Sequence, residues 1–265
     1  MRLGKGVKIE PIMFIEERHT NIIKLLQENG RVKVKELSQL FQVTEDCIRK
    51  DLRTLEKAGE LKRTYGGAIL SKDYPLVRDV IERKDVNLEQ KRKIAQKVME
   101  TLKENETIFL DISTTNILVA KELGKSNRRM IVVSNMVDIL KALSKNPNIT
   151  AIGVGGTYVK TVNGFLGAET IQMIKKYSFD RVFVGTCGID MTDQSITTLG
   201  AEDGLTKKAI LESGRHRYLV MEREKFYFNE CYKFGYVHEV DGIFTNELPD
   251  QATKEILDQI GVSLY

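Results

Sequence analysis

Apolar residues recur at helical spacing near the start of the chain. Ile15, Ile22, Ile23, Leu25 and Leu26 form one stripe within residues 12–28, and Asn29-Gly30 ends it as a helix C-terminus does. A short second helix is predicted over residues 34–41, with Leu37, Leu40 and Phe41 facing inward. Thr44 is suited to cap a third helix, its hydroxyl accepting from the first orphan amides. That helix runs to about Ala58, and Gly59 ends it. Residues 61–70 read as a hairpin turning at Thr64–Gly67, where Gly66-Gly67 permits a tight turn.

The pattern then changes. Residues 71–86 lack periodicity, and Pro75 argues against a continuous helix, so they are predicted as a linker. A helix over 88–103, striped by Ile94, Val98 and Leu102, follows. Short apolar strands are predicted at 107–110, 130–133, 149–154, 181–184, 218–221 and 242–244. They alternate with helices at 116–123, 137–144, 168–176, 203–212 and 251–259. This alternation implies an α/β domain: a mostly parallel sheet wrapped by helices. The organisation is then residues 1–70, a linker at 71–86, and residues 87–265.

Composition sharpens this picture at one point. The net charge of +4 is carried entirely by residues 1–73, which hold 15 Lys+Arg against 11 Asp+Glu; the remaining residues hold 26 of each. The basic excess lies in the small domain, where a polyanion partner would want it. Cys47, Cys187 and Cys231 are scattered, and only three histidines occur, so no metal site or cofactor is expected. No apolar run approaches the roughly 18 residues of a membrane span, and the N-terminus lacks a signal core, so a cytoplasmic protein without membrane association is expected.

The third helix carries the charge that matters. Ile48, Leu52 and Leu55 share one face; Asp46, Lys50, Arg53, Thr54 and Lys57 lie opposite, with Arg49 at the margin. In helix-turn-helix docking the N-terminal part of the second helix meets the bases. Glu45, Asp46, Arg49 and Lys50 are therefore the candidate base-proximal residues and Arg53 the backbone-proximal one, with Thr44 and Lys57 also candidate DNA contacts. On the hairpin Lys62, Arg63 and Tyr65 are candidate DNA contacts. The same pattern also suits a three-helix unit with a solvated charged face, or a winged helix used for protein contacts.

In the larger domain four loops follow predicted strands: Asp111-Ile112-Ser113-Thr114-Thr115-Asn116, Ser134-Asn135, Gly153-Val154-Gly155-Gly156-Thr157 and Gly185-Thr186-Cys187-Gly188. Open parallel sheets bind ligands at these carboxyl ends, and small hydroxyl residues opening a helix suit an anion. The candidate effector residues are Asp111, Ser113, Thr114, Thr115, Ser134, Asn135, Gly155, Gly156, Gly185, Thr186 and Gly188, with Glu202 and Lys225. Glu202-Asp203 and Lys207-Lys208 suit either ligand contact or a solvated helix start. Lys225 suits either a phosphate or a surface ion pair.

Residues 12–70 resemble the N-terminal domain of the DeoR family of bacterial repressors. The likeness rests on Lys35-Glu36-Leu37, Phe41-Gln42-Val43-Thr44, Ile48-Arg49-Lys50-Asp51-Leu52, Leu55-Glu56-Lys57-Ala58-Gly59-Glu60-Leu61 and Arg63-Thr64-Tyr65-Gly66-Gly67-Ala68. Cys47, Lys50 and Tyr65 depart from the family's usual Thr, Arg and His. Residues 87–250 resemble the family's sensor domain through Ile108-Phe109-Leu110-Asp111, Thr114-Thr115, Val133-Ser134-Asn135, Gly155-Gly156, Gly164-Phe165-Leu166-Gly167-Ala168 and Phe183-Val184-Gly185. Glu222-Arg223-Glu224-Lys225 stands where Asp-Ser-Ser-Lys is usual, which bears on the choice of ligand.

The resemblance implies a winged helix-turn-helix joined to a domain similar to ribose-5-phosphate isomerase. It implies a repressor of carbohydrate genes that binds a double-stranded operator as a homodimer or homotetramer, under control of a phosphorylated sugar or polyol. The 88–103 helix is a candidate oligomer surface. The isomerases carry an Asp-Gly-Ala-Asp-Glu loop where this chain has Gly185–Gly188, and proton transfer between carbons needs such a base. A ligand sensor without catalytic residues is expected; a sugar-phosphate isomerase fused to a DNA-binding domain is the alternative.

Overall fold

The structure, a computed structural model, describes residues 15–29, 31–64, 66–70 and 80–265. They fall into two compact units that divide between positions 76 and 77. Tyr65 and residues 71–79 lie outside the described residues, as does the side chain of Lys62.

The first unit contains α1 (Ile15–Asn29), β1 (Arg31–Lys33), α2 (Val34–Leu40), α3 (Glu45–Lys57), β2 (Leu61–Thr64) and β3 (Gly67–Leu70). The strands form an antiparallel sheet in the order β1-β3-β2. Strand β1 is an addition to the predicted hairpin. Gly67 lies opposite Lys33 in that pairing, and a Cβ there would stand 2.0 Å from the Val32 carbonyl oxygen, so only glycine fits. Ile22, Leu26, Val34, Leu37, Ile48, Leu52, Leu55 and Leu61 are buried. Leu40, predicted inward, is 60% exposed, and Phe41 is half-buried. The turn per residue explains this: Leu40 stands about 120° round the helix from Val34, while Leu37 stays near it. Arg18 of α1 donates to Asp51 of α3 at 2.6 and 3.1 Å, a buried pair that fixes one helix to the other.

The second unit opens with α4 (Val80–Arg83) and α5 (Leu88–Thr101). Val80 is fully buried in one core with Ile94 and Val98, which shortens the expected 71–86 linker at its far end. The sequence then builds β4 (Thr107–Leu110), α6 (Thr114–Lys125), β5 (Met130–Ser134), α7 (Val137–Leu143), β6 (Ile149–Gly153), β7 (Thr157–Val159), β8 (Gly164–Leu166), α8 (Ala168–Ile174), β9 (Phe179–Gly185), β10 (Gly188–Asp190), β11 (Ser195–Thr198), α9 (Ala201–Glu212), β12 (Gly214–Val220), β13 (Tyr232–Tyr236), β14 (Gly242–Phe244), α10 (Gln251–Gln259) and β15 (Ser263–Leu264).

Seven strands form one sheet in the order β15-β14-β12-β9-β4-β5-β6, and every pairing is parallel. Successive side chains point to opposite faces. Ile108, Leu110, Phe183 and Val220 pack with α5, α6 and α7; Phe109, Val182, Val184 and Leu219 pack in a second core with α9 and α10. A small antiparallel sheet, β10-β11-β13, and the β7-β8 hairpin were not predicted from the sequence.

Candidate functional site

On α3 the side chain of Thr44 accepts from the Cys47 amide at 3.2 Å, starting the helix where the sequence placed it. Ile48, Asp51, Leu52 and Leu55 are buried; Arg49, Lys50, Arg53, Thr54 and Lys57 are exposed. The charged face therefore stands in solvent along the whole helix. Arg49 is held by its own helix, Nη2 to Glu45 at 2.7 Å and Nη1 to Asp46 at 2.8 Å. Arg63 on β2 is held by Glu56 of α3, through its backbone amide and its Nε, both at 2.8 Å. These bonds from Arg63, its amide first, lower the Glu56 carboxyl below its usual range. Among the described residues Lys50, Arg53 and Lys57 form no ion pair. That leaves three exposed cations without an ion pair beside two arginines already set in place.

In the second unit the carboxyl ends of β4, β5, β6 and β9 are neighbours in the sheet, so the four predicted loops share one edge. Asp111 is its centre. It follows β4, is fully buried, and accepts from the Gly185 amide at 2.9 Å, Asn116 Nδ2 at 2.9 Å and Lys207 Nζ at 2.5 Å. Burial raises the Asp111 carboxyl above its ordinary value, although Lys207 and the Gly185 amide pull it down. Burial also opposes the Lys207 charge, but Asp111 and then Asp203 outweigh it and hold that ammonium firmly protonated. Gly185 has no room for a side chain, since a Cβ would meet Ser113 at 2.7 Å.

The remaining predicted residues fall into place unevenly. Ser113 caps α6 by accepting from the Thr115 amide at 3.2 Å, and Ser134 accepts from the Met136 amide at 3.1 Å. Thr186 donates to the carbonyls of Gly188 and Thr197. Gly155 accepts from the Thr170 hydroxyl. Thr114 is turned away from Asp111, lining a cavity of about 750 Å³ between α5, α6 and α7. Glu202 is exposed; Asp203 instead faces inward, 3.7 Å from Lys207 and accepting from the Thr198 hydroxyl at 2.6 Å. Asn116, which closes the same loop motif but is not among the candidate ligand contacts, donates to both Asp111 and the Phe183 carbonyl.

Beyond β12, Lys225 donates to the Thr186 carbonyl at 2.9 Å and lies 3.2 Å from Glu222. Glu222 is buried, and despite that its carboxyl is lowered, by Lys225 and then Lys91. Lys91 of α5 completes the cluster, 3.8 Å from Glu222 and donating to the Arg83 and Val86 carbonyls at 2.7 Å each. Burial pushes its ammonium down to about 8. Of the buried polar atoms without a hydrogen-bond partner among the described residues, Asn116 Oδ1, Asn135 Oδ1 and Thr245 Oγ1 lie at this edge, beyond β4, β5 and β14; others, such as Arg83 Nε and Ser195 Oγ, lie elsewhere. Buried polar groups are ordinarily bonded, so these three mark a polar site. No group of three His, Cys, Asp or Glu among the described residues could hold a metal.

The model of the DeoR-like helix-turn-helix domain matches residues 18–73, and that of the DeoR C terminal sensor domain matches residues 86–247. The chain is 31% identical to the glycerol-3-phosphate regulon repressor of Escherichia coli, over 94% of this chain and 97% of that one. It is 28% identical to the HTH-type transcriptional repressor GlcR of Bacillus subtilis, over 95% and 96%. It is 29% identical to the lactose phosphotransferase system repressor of Lactococcus lactis, over 80% and 83%. Ribose 5-phosphate isomerase A of Methanocaldococcus jannaschii is a structural neighbour with a TM-score of 0.39 at 15% identity, over 52% of this chain and 54% of that one.

Proposed function

Because the chain belongs to the DeoR family of transcriptional regulators, we propose that it represses carbohydrate genes by binding an operator through α3. In this reading the edge around Asp111, Lys207 and Lys225 binds a phosphorylated sugar or polyol that changes operator affinity. The unpartnered acceptors Asn116 Oδ1 and Asn135 Oδ1 carry it. They suit the hydroxyls of a polyol, while Lys225, the partly exposed cation of the cluster, suits its phosphoryl group. Two relatives carry names in the same chemistry, one for a glycerol-3-phosphate regulon and one for a lactose phosphotransferase system.

The domain acts as a sensor rather than an isomerase. Gly185–Gly188 supplies no carboxylate, and Asp111 already accepts three bonds within the fold. A single winged helix covers little DNA, so the protein works in the cytoplasm as a homodimer or homotetramer on repeated half-sites. A ligand shifts the DNA-binding equilibrium only by its differential affinity for the two states, typically about 1–3 kcal/mol.

The test is a thermal-shift screen of sugar and polyol phosphates on the full chain. A binder raises the melting temperature by mass action. The hit is then titrated into the protein bound to a duplex selected from a random library. The reading predicts a hit, an altered duplex affinity, and loss of the shift in Lys225→Ala. Stabilisation by no sugar phosphate, or by one that leaves duplex affinity unchanged, overturns it.

A further inference from the structure

Both terminal amines of Arg49, the two that would grip a guanine, are occupied by carboxylates of the same helix. Glu45 and Asp46 occupy the first turn of α3 and stand beside Arg49 on its exposed face. A phosphate that drew Arg49 away would leave two carboxylates beside a polyanion, with like charges facing each other. A base edge is different. Guanine O6 and N7 accept from the arginine fork, and the exocyclic amines of neighbouring bases, cytosine N4 above all, donate to the vacated carboxylates.

We propose that Glu45 and Asp46 determine specificity by withholding Arg49 from phosphate contact. They release it only at a guanine flanked, in the major groove, by bases presenting amines. This rests on the reading of α3 as the base-contacting helix. The acids weaken binding to arbitrary DNA more than binding to the chosen site, which widens the gap between the two.

The experiment uses the full chain, a 30-base-pair duplex of mixed sequence, and a duplex selected by the same protein from a random library. Glu45→Gln/Asp46→Asn is compared with Glu16→Gln/Glu17→Gln, which removes two exposed carboxylates from α1 and so reports the general charge effect. The expected result is mixed-duplex binding about tenfold tighter than in that control, with the preference for the selected duplex reduced by a similar factor. In an Arg49→Ala background the gain falls to that of the control, because the carboxylates act through Arg49. The proposal is overturned if the gain does not exceed the control, or survives unchanged without Arg49. If Arg49→Ala alone leaves affinity and the selected sequence untouched, the assignment of α3 itself fails and the proposal goes with it.

Discussion

Replacing Lys207 by Met tests the centre of the strand-end site. The side chain keeps most of its length but loses its charge, so Asp111, fully buried, is left with two neutral donors, Gly185 N and Asn116 Nδ2. Removing one member of a buried pair costs about 3–5 kcal/mol, because the other charge stays uncompensated. For a unit of this size that is a fall of roughly 6–20 °C in melting temperature. The loss depends on pH in a fixed direction. Burial already raises the Asp111 carboxyl, and without Lys207 it rises further. The folded state then binds a proton that the unfolded state releases, so stability falls as pH rises above the usual carboxylate range. Over that interval the slope is about 1.4 kcal/mol per pH unit. Scanning calorimetry of wild type and variant between pH 5 and pH 8 reads this directly, the gap being widest at the alkaline end. Adding Asp111→Asn to Lys207→Met removes both charges and is expected to recover part of the loss and to abolish most of the pH dependence. A Lys207→Met protein within about 1 kcal/mol of wild type, or a gap that ignores pH, refutes the argument.

Three further perturbations have definite outcomes. Gly67→Ala drives a methyl group into the Val32 carbonyl; it should separate β1 from β3, lowering the melting temperature of the winged unit and weakening DNA binding together. Thr44→Ala removes the cap on the Cys47 amide and is expected to cost about 1 kcal/mol in urea unfolding. Lys91, pushed down to about 8 by burial, loses its proton in the folded state before the unfolded chain does. Stability should therefore rise between about pH 8 and the ordinary lysine value, and Lys91→Met should lack that increment in a matched pH series.

The parts of the fold set by local periodicity were legible in the sequence. The strands at Thr107–Leu110 and Gly242–Phe244 and the helix at Gln251–Gln259 have the bounds expected of them. Each is a run whose burial is settled by its own residues. Arg31–Lys33 was not legible, because its pairing partners lie more than 30 residues away and its alternation is only three residues long. Ser195–Thr198 is likewise a short strand, and although β10 is close in the chain its other partner, β13, lies more than 30 residues on. The site divides along the same line. The loops after the strands could be read, since their position follows from topology. The Asp111–Lys207 pair could not, because its members stand 96 residues apart. Asp203 rather than Glu202 faces Lys207 because a four-residue spacing shares a helix face and a five-residue spacing does not.

The alternation of side chains along the parallel strands has a consequence for how the larger unit comes apart. Ile108 and Phe109 are adjacent in the chain, yet one is buried beneath α5, α6 and α7 and the other beneath α9 and α10. Neighbours on β9, Val182 and Phe183, divide the same way. Each strand is thus a wall common to two rooms. Peeling away either helical layer strips one side of a sheet whose other side remains packed, and exposes Leu, Ile and Phe to water with nothing gained in return. The two layers should melt in a single cooperative step, although no residue of one core needs to touch the other.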